Sequence, residues 1–515
     1  MKYKMIFLLL VLMGTLASCE DVLDVSPENS LTFRNALETE KDLEGALAGA
    51  GNFMRDMANV NMSCQIMKGV YMDNDLYGDY TSIRTLAPDG GDTDGTGWDR
   101  FYLIIAQSNV VLHFADQVKM TDARRKIYTG QAYFYKAFAY LKLLRRWGDC
   151  ILVKDDVSLD PRGQSPWTEV CDYAIELAQN AVDRLPEFPN VTDHLGKAPR
   201  YKSTPCKGAA NALLAHLCAW KAGGKYFAAD QNYDEQALWR RAKAACDSII
   251  GSGLYELEDS PELVCTSALV GDSKESIYET VYKDLWHEVS VADRSNKFCL
   301  AAWYQFFPVN PNSTPHDAFD APCQIYLSEM EKMFPGTDER RNAYFYKFDT
   351  YNCSDSLETT QGLAYPYKWR NPYVETSGYQ AGEMVNYNQN KVWWRLADII
   401  LLRAECAARL GDNDTAIKDI NRVRTRANAK LYDASEYDGD VRYAVFKERE
   451  KEFLFEGFRY YDVIRNGYYK TELEGGFQTA SEQDFKDGAF FLTVYGTSMQ
   501  NNPAIRQNKY WVKYL

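Results

Sequence analysis

Apolar residues recur at helical spacing through most of this chain. The clearest stretch runs from Lys391 to Gly467. Its first run carries Leu396, Ile399, Ile400, Leu402, Ala404, Cys406 and Ala407, and stops at Leu410-Gly411, where glycine suits a helix C-terminus. Asp412 or Asn413 then caps a second helix, with Ala416, Ile420, Val423 and Ala427 on one face. Helices joined by so short a turn lie antiparallel, as a hairpin. A third run, from about Val441 to Arg465, has no proline and a single glycine, and predicts a further helix. It is dense in charge, with Lys447, Glu448, Arg449, Glu450, Lys451 and Glu452 consecutive. These charges read as a salt-bridged helix face, with buried Arg–Glu pairs as the other reading.

The rest of the chain repeats this texture before losing it. Glu38 to Met57 predicts a helix with Leu43, Leu47, Ala50 and Met54 on one face. Residues 60–97 read as loop. Trp98 opens a helix to about Gln117, and Thr121 or Asp122 caps the next, which ends at Trp147 with Ile127, Phe134, Phe138 and Leu141 as its stripe. Further helices are expected over Pro166 to Arg184, Lys207 to Gly223 and Glu235 to Ile250. Such alternation predicts a helical solenoid, though no clean 34-residue self-similarity is present, so any tetratricopeptide-like repeat is degenerate. Residues 258–390 differ. ESIYETVY, at 275–282, alternates as a strand does. From Phe298 to Tyr373 aromatic residues are denser than the chain's overall 14%, and seven prolines between Pro308 and Pro372 break the stretch into loops. Rings in such sequence either pack on the scaffold or face a ligand. Past residue 467 the chain is again loop-rich and closes on Tyr510-Trp511.

Charge and termini narrow the function. Lys+Arg 58 against Asp+Glu 72 gives a net −14, which disfavours nucleic acid as a partner. Lys2 and Lys4 precede an apolar run from Met5 to Met13, too short for the ~20 residues that span a bilayer. The run leads into Leu16-Ala17-Ser18-Cys19, which resembles a bacterial lipoprotein signal. That resemblance implies a signal peptide over residues 1–18, a lipid on Cys19, a tether over 19–30, and membrane contact through the lipid alone. An ordinary secretory signal with an incidental cysteine is the other reading. Glu20 and Asp21, directly after Cys19, resemble a surface-export tag.

The remaining cysteines include no C-x-x-C pair and the five histidines are scattered, so no zinc site is expected. Cys171, Cys218, Cys246 and Cys406 lie in helical runs, as small hydrophobes. A calcium frame started at Asp92 fails, because Leu103 falls where the bidentate Glu belongs. There is no G-x-S-x-G, H-E-x-x-H or P-loop, so neither catalytic residues nor a cofactor is expected. Binding residues are easier to nominate. A sugar ring has a C–H face on which a flat ring can stack, while polar neighbours take its hydroxyls. Trp286, Trp303 and Tyr304 lie in loop-like sequence near Asp284, His287, Asn296 and Gln305. Asp73, Asn74 and Tyr80 sit in a loop rich in acids and tyrosines. Trp98 follows a glycine-rich loop and opens a helix, so ligand contact and scaffold packing weigh equally for it. For the other rings the competing role is packing, and for the acidic loop it is solvation.

The order and spacing of Arg395 to Glu405, Ala416, Asn421, Arg424, Arg426, Glu448-Arg449, Glu452, Glu456-Gly457, Arg459 and Asp462 resemble the C-terminal signature of the SusD/RagB family. Trp98 and Tyr102 with Asn109, the Gln131 to Trp147 helix, and the stretch from Ala244 to Tyr255 resemble it too. The resemblance implies a mostly α fold: a tetratricopeptide-like helical-hairpin scaffold, with a loop-rich, aromatic-rich irregular half and minor short strands. It divides the chain into an N-terminal helical region (31–257), a ligand-binding region (258–390) and a C-terminal helical region (391–515). It implies an outer-membrane lipoprotein facing the cell exterior, which binds an oligosaccharide without cleaving it and delivers it to a SusC-like TonB-dependent transporter. A peptide-binding member of the same family and a surface glycoside hydrolase remain as alternatives.

Overall fold

In the computed structural model, which describes residues 37–59, 86, 98–154, 160–227, 232–282, 307–315, 317, 325–351, 362–379, 381–473, 475–494 and 496–514, four of the main helices begin at a capping Thr or Asp side chain. The main helices are α1 (Glu40–Asn59), α2 (Asp99–Phe114), α3 (Asp122–Trp147), α4 (Trp167–Arg184), α5 (Lys207–Ala222), α6 (Glu235–Gly251), α7 (Leu396–Arg409), α8 (Asn413–Arg426), α9 (Val441–Glu452) and α10 (Arg459–Asn466). Thr121 caps α3 by accepting from Arg124 N, and Asp412 caps α8 by accepting from Thr415 N. Gly411, at φ +84°, ends the preceding helix as expected. Each helix from α1 to α7 packs on the next in sequence, and α7 packs in turn on α8 and α9. The scaffold is therefore a row of helical hairpins, and the mostly α fold with a few short strands is the expected one. No described helix is long and apolar enough to cross a membrane.

The row has a dry centre. Every residue of α5 from Gly208 to Ala222 is buried, because its sequence (GAANALLAHLCAWKA) is mostly small or apolar and its Asn211, His216 and Lys221 bond to Lys207 O, Asp398 and Asp172. Small residues let neighbours approach closely. A Cβ on Gly223 would lie 2.6 Å from the Arg465 carbonyl oxygen of α10, and one on Gly224 would lie 2.4 Å from the Trp167 ring.

Two local expectations need correction, and the C-terminal block opens differently from its helices: Lys391 to Arg395 is a strand, β4, directly ahead of the helical run that starts at Leu396. It pairs antiparallel with β1 (Ser276–Thr280), the strand expected near 275–282. Both strands are buried at every position, so β1 does not alternate between core and solvent. Helix α3 covers one face, where Tyr278 meets Phe134 and Phe138 edge-on, while on the other Glu279 accepts from Asp272 N and Glu275, just before the strand, pairs with Arg395. The other pair is β2 (Pro372–Val374) with β3 (Met384–Tyr387), also antiparallel. The second correction concerns Val441 to Arg465, which is two helices. Its break at Phe455 (φ +65°) and Gly457 (φ +85°) has an identifiable cause. The buried Lys368 ammonium takes the carbonyls of Glu452 (2.8 Å) and Leu454 (3.0 Å), and Trp369 Nε1–H takes that of Phe455 (3.2 Å), so side chains capture the acceptors that a continuing helix would use.

The aromatic excess of the middle region resolves largely into packing where the structure describes it. Phe334, Tyr344, Phe345, Phe348, Tyr365 and Trp369 are all buried. Phe345 meets Phe455 edge-on at 5.9 Å, which ties the irregular half to the chain break after α9.

Candidate functional site

Most of the nominated binding residues fall in two stretches whose structure is not described. Asp73, Asn74 and Tyr80 lie in 60–85, Trp286, Trp303 and Tyr304 in 283–306, and the lipid-anchor candidate Cys19 in 1–36; all are outside the described residues. The structure does describe where these two stretches leave the scaffold, and they leave it together. Arg55, on α1, donates from Nε (3.1 Å) and Nη2 (2.7 Å) to the carbonyl of Val281, just past β1. Tyr282 returns a hydrogen bond from its hydroxyl to the Arg55 carbonyl, and its ring lies under the Arg55 guanidinium at 5.4 Å. Asn390 Oδ1 accepts from Tyr282 N at 3.0 Å, so the turn before β4 joins the same knot. Residues 226 apart in sequence are thus neighbours here, and nothing in the local sequence signals it.

Beside this joint is a second group that sequence reasoning missed. Trp393 of β4 donates from Nε1 to Thr280 Oγ1 at 2.8 Å. The ammonium of Lys142, from α3, lies 4.3 Å from the Trp393 ring centroid and 5.1 Å from that of Phe138. Lys142 has no carboxylate partner among the described residues. Burial, then the like charges of Arg145, Arg146 and Lys391, push it well below the ordinary lysine value. The dense KVWW run at the head of β4 is the only local hint of this corner.

Trp98 was weighed between two roles, and the structure displays the packing one. It is 4% exposed. Its ring meets Tyr102 at 6.0 Å and Trp147 at 5.9 Å, both edge-on. Tyr102 in turn locks the chain after α3, donating to Ile151 O (3.1 Å) and accepting from Ile151 N (2.7 Å). The Trp98 indole therefore anchors the point where residues 60–97 rejoin the scaffold. Nearby, Tyr510 donates to Leu86 O at 2.8 Å and pins that same stretch to the C-terminal segment.

The charged run on α9 proves to be buried, not a solvated face. Glu452 is 0% exposed and accepts from Arg395 (2.7 Å), Arg426 and Arg340 (3.5 Å). Arg395 also reaches Glu275 (2.7 Å) and Glu456 (2.7 Å), and Lys368 shares Glu456 (2.7 Å). Glu448 takes Arg340 (2.7 Å) and Arg424 (2.6 Å). A second cluster joins Arg449 to Asp398 (2.9 Å) and Asp462 (2.8 Å), and Arg465 to Glu405 (2.6 Å). Burial alone would raise the Glu452 carboxyl, but Arg426, Arg395, Arg340 and Lys368 outweigh it and hold it well below the usual range. His216 sits between Asp398, 2.7 Å from Nε2, and Arg145, whose Nη2 is 3.2 Å from Nδ1. A guanidinium can only donate, so Nδ1 accepts and the proton is on Nε2. Burial lowers the His216 value, against the pull of Asp398 and with the help of Arg145 and Arg449. These carboxylates are committed to guanidinium groups and out of solvent; they position helices and offer no acid or base to a substrate. Among the described residues, no group of three or more His, Cys, Asp or Glu side chains is arranged to hold a metal ion.

Comparison with known proteins bears on the whole chain. A family model described as the SusD family matches residues 283–512, and one described as starch-binding associating with outer membrane matches residues 21–218. SusD-like protein P38 of Formosa agariphila is 24% identical over 510 residues, covering 89% of this chain and 90% of that protein. A solved SusD homolog from Bacteroides thetaiotaomicron superposes with a TM-score of 0.71 at 20% identity, covering 92% of this chain and 99% of the other. Surface glycan-binding protein A of Bacteroides uniformis superposes with a TM-score of 0.65 at 19% identity, covering 92% and 100%.

Proposed function

Since this chain belongs to the SusD family, we propose that it is an outer-membrane lipoprotein that captures an extracellular oligosaccharide and passes it, uncleaved, to a SusC-like TonB-dependent transporter. The observation that carries the reading is the joint between Arg55, Val281 and Tyr282. It brings together, on the row of helices, the described ends from which two stretches rich in aromatic and polar residues depart. Trp286, Trp303 and Tyr304 would stack on sugar faces, while Asp73, Asn74 and Tyr80 would take hydroxyls. The name of the Bacteroides uniformis neighbour, a glycan-binding protein with the same fold, supports this choice of ligand. A role in binding alone is supported by the charged cluster, whose carboxylates are tied up by arginine. A lipid on Cys19 would confine the protein to the membrane surface and so raise its effective concentration at the transporter mouth.

A glycan array probed with the purified chain tests the reading. Binding to a glycan class, abolished by Trp286→Ala with Trp303→Ala, is expected. Selective capture of peptides with no glycan signal would move the assignment to a peptide-binding member of the family. Steady release of reducing ends, lost on a single carboxylate substitution, would make the protein a hydrolase.

A further inference from the structure

Helices α3, α5 and α10 meet where donors outnumber acceptors. Arg145 reaches the junction from α3, Trp220 from α5 and Arg465 from α10, and they are 7%, 0% and 0% exposed. The Arg145 guanidinium lies between the other two helices. Its Nη2 is 3.2 Å from Nδ1 of His216, one turn before Trp220. Its central carbon is 5.6 Å from the Trp220 ring centroid and 5.1 Å from that of Tyr461, one turn before Arg465. The Trp220 and Tyr461 rings themselves meet edge-on at 5.9 Å. Arg465 presses on the same side of α5, since a Cβ on Gly223, one turn after Trp220, would lie 2.6 Å from the Arg465 carbonyl oxygen.

Each of the three side chains carries an N–H with no acceptor among the described residues: Arg145 Nε, Trp220 Nε1 and Arg465 Nη1. Buried donors are nearly always paired, so three at one junction point to a common acceptor. The charges point the same way. Four buried guanidinium groups, Arg145, Arg409, Arg449 and Arg465, face three buried carboxylates, Asp398, Glu405 and Asp462. Arg449 and Arg465 take all three carboxylates in direct ion pairs. Arg145 and Arg409 bond only to neutral groups, His216 in the first case and Tyr226 with Asn466 in the second. Burial, then the like charge of Arg465, bring Arg145 down to about 10, so the excess charge is felt at this junction.

We propose that the junction holds one halide ion, chloride under ordinary conditions, between Arg145 Nε, Trp220 Nε1 and Arg465 Nη1. A single negative charge evens four cations against three carboxylates. A water molecule suits the place less well, because its own two hydrogens need acceptors and the groups on offer are donors. Carboxylate and phosphate ligands have several oxygens to satisfy, whereas a monatomic ion is served by three converging N–H groups. Bound there, the ion ties α3 to α5 and α10 through the centre of the scaffold and acts on stability, independently of what the protein captures outside.

Urea unfolding of the full chain in sodium chloride against sodium gluconate, at one ionic strength, reads the ion through its linkage to folding. One bound ion should lower the unfolding equilibrium constant about tenfold for each tenfold rise in chloride above its dissociation constant, and bromide should substitute for chloride. Trp220→Phe keeps a ring and removes the N–H, and should weaken the dependence. Arg145→Met removes the excess charge and should abolish it. Crystals grown in sodium bromide should give an anomalous peak within hydrogen-bonding reach of the three nitrogens. Unfolding indifferent to halide, a halide dependence equal in the unaltered chain and both variants, or a water at the junction with no anomalous signal overturns the proposal. If Arg145→Met fails to fold, Trp220→Phe and the bromide peak still decide it.

Discussion

Replacing Glu452 with glutamine removes one negative charge from a buried cluster while keeping its shape. In direct ion pairs, Asp338, Glu275, Glu448, Glu452 and Glu456 face Arg340, Arg395, Arg424, Arg426 and Lys368. The two sets balance, so Glu452→Gln leaves one uncompensated cation in a site closed to water. The new amide also turns N–H groups toward guanidinium donors that need acceptors. Breaking a buried pair from one side costs about 3–5 kcal/mol, or roughly two to four orders of magnitude in the folding equilibrium. Guanidinium unfolding followed by tryptophan fluorescence should show that loss as a lower midpoint. Adding Arg426→Met restores the charge balance, so the double variant should lose less than the two single losses combined. A control at the exposed pair of Lys430 with Asp433, Lys430→Ala, should leave the midpoint unchanged. A loss under about 1 kcal/mol for Glu452→Gln, or strict additivity in the double variant, would refute the claim that this cluster acts as one buried unit.

Acid should unfold the protein through the same groups. Asp398, Glu405, Glu448, Glu452 and Glu456 are all held below their ordinary values, and Glu450 is brought down to about 2 because Arg459 and Lys447 outweigh its burial. A depressed carboxyl contributes stability that is complete above the unfolded value and is lost as pH falls through the folded one, so the thermal midpoint should drop steeply from about pH 5 downward. His216, also depressed, starts the decline below about pH 6.5; a flat midpoint from pH 7 to pH 3 contradicts both assignments. Gly223→Ala should cost about 1–3 kcal/mol because its Cβ has no room beside Arg465, whereas Gly251→Ala, in open space, should not lower the denaturation midpoint. Cys150, Cys171, Cys206, Cys218, Cys246, Cys265 and Cys406 are free and buried, and burial pushes the Cys218 and Cys265 thiols up to about 12. Iodoacetamide at pH 8 should therefore leave these seven unlabelled until the protein unfolds, as mass spectrometry of tryptic peptides would show.

Much of the scaffold was legible because its signals are local. The stop at Gly411, the Asp412 and Thr121 caps and the stripes of α3 and α8 need only neighbours within one or two turns, and the helices fall where these place them. Strand β1 was legible as extended sequence, but not its burial on both faces, since alternation cannot reveal a helix packed on the far side. The strand at Lys391 to Arg395 was not legible, because a short apolar run before a helix carries no period of its own. The break after Glu452 depends on Lys368 and Trp369, more than eighty residues away. For the candidate site, loop composition nominated the residues, while the meeting of Arg55 with Val281 had no local trace.

The sequence by itself determined most of the helices, their solenoid-like alternation and the family, because caps, stripes and signature spacings act over a few residues each. Only the tertiary structure decided the rest. The charged run of α9 could face water or arginine, and its burial follows from where β4, α8 and the 338–340 turn bring Arg395, Arg426 and Arg340. A carboxylate carries the same letter whether solvated or paired. Which it becomes is set by the charges that distant parts of the chain place within hydrogen-bonding reach.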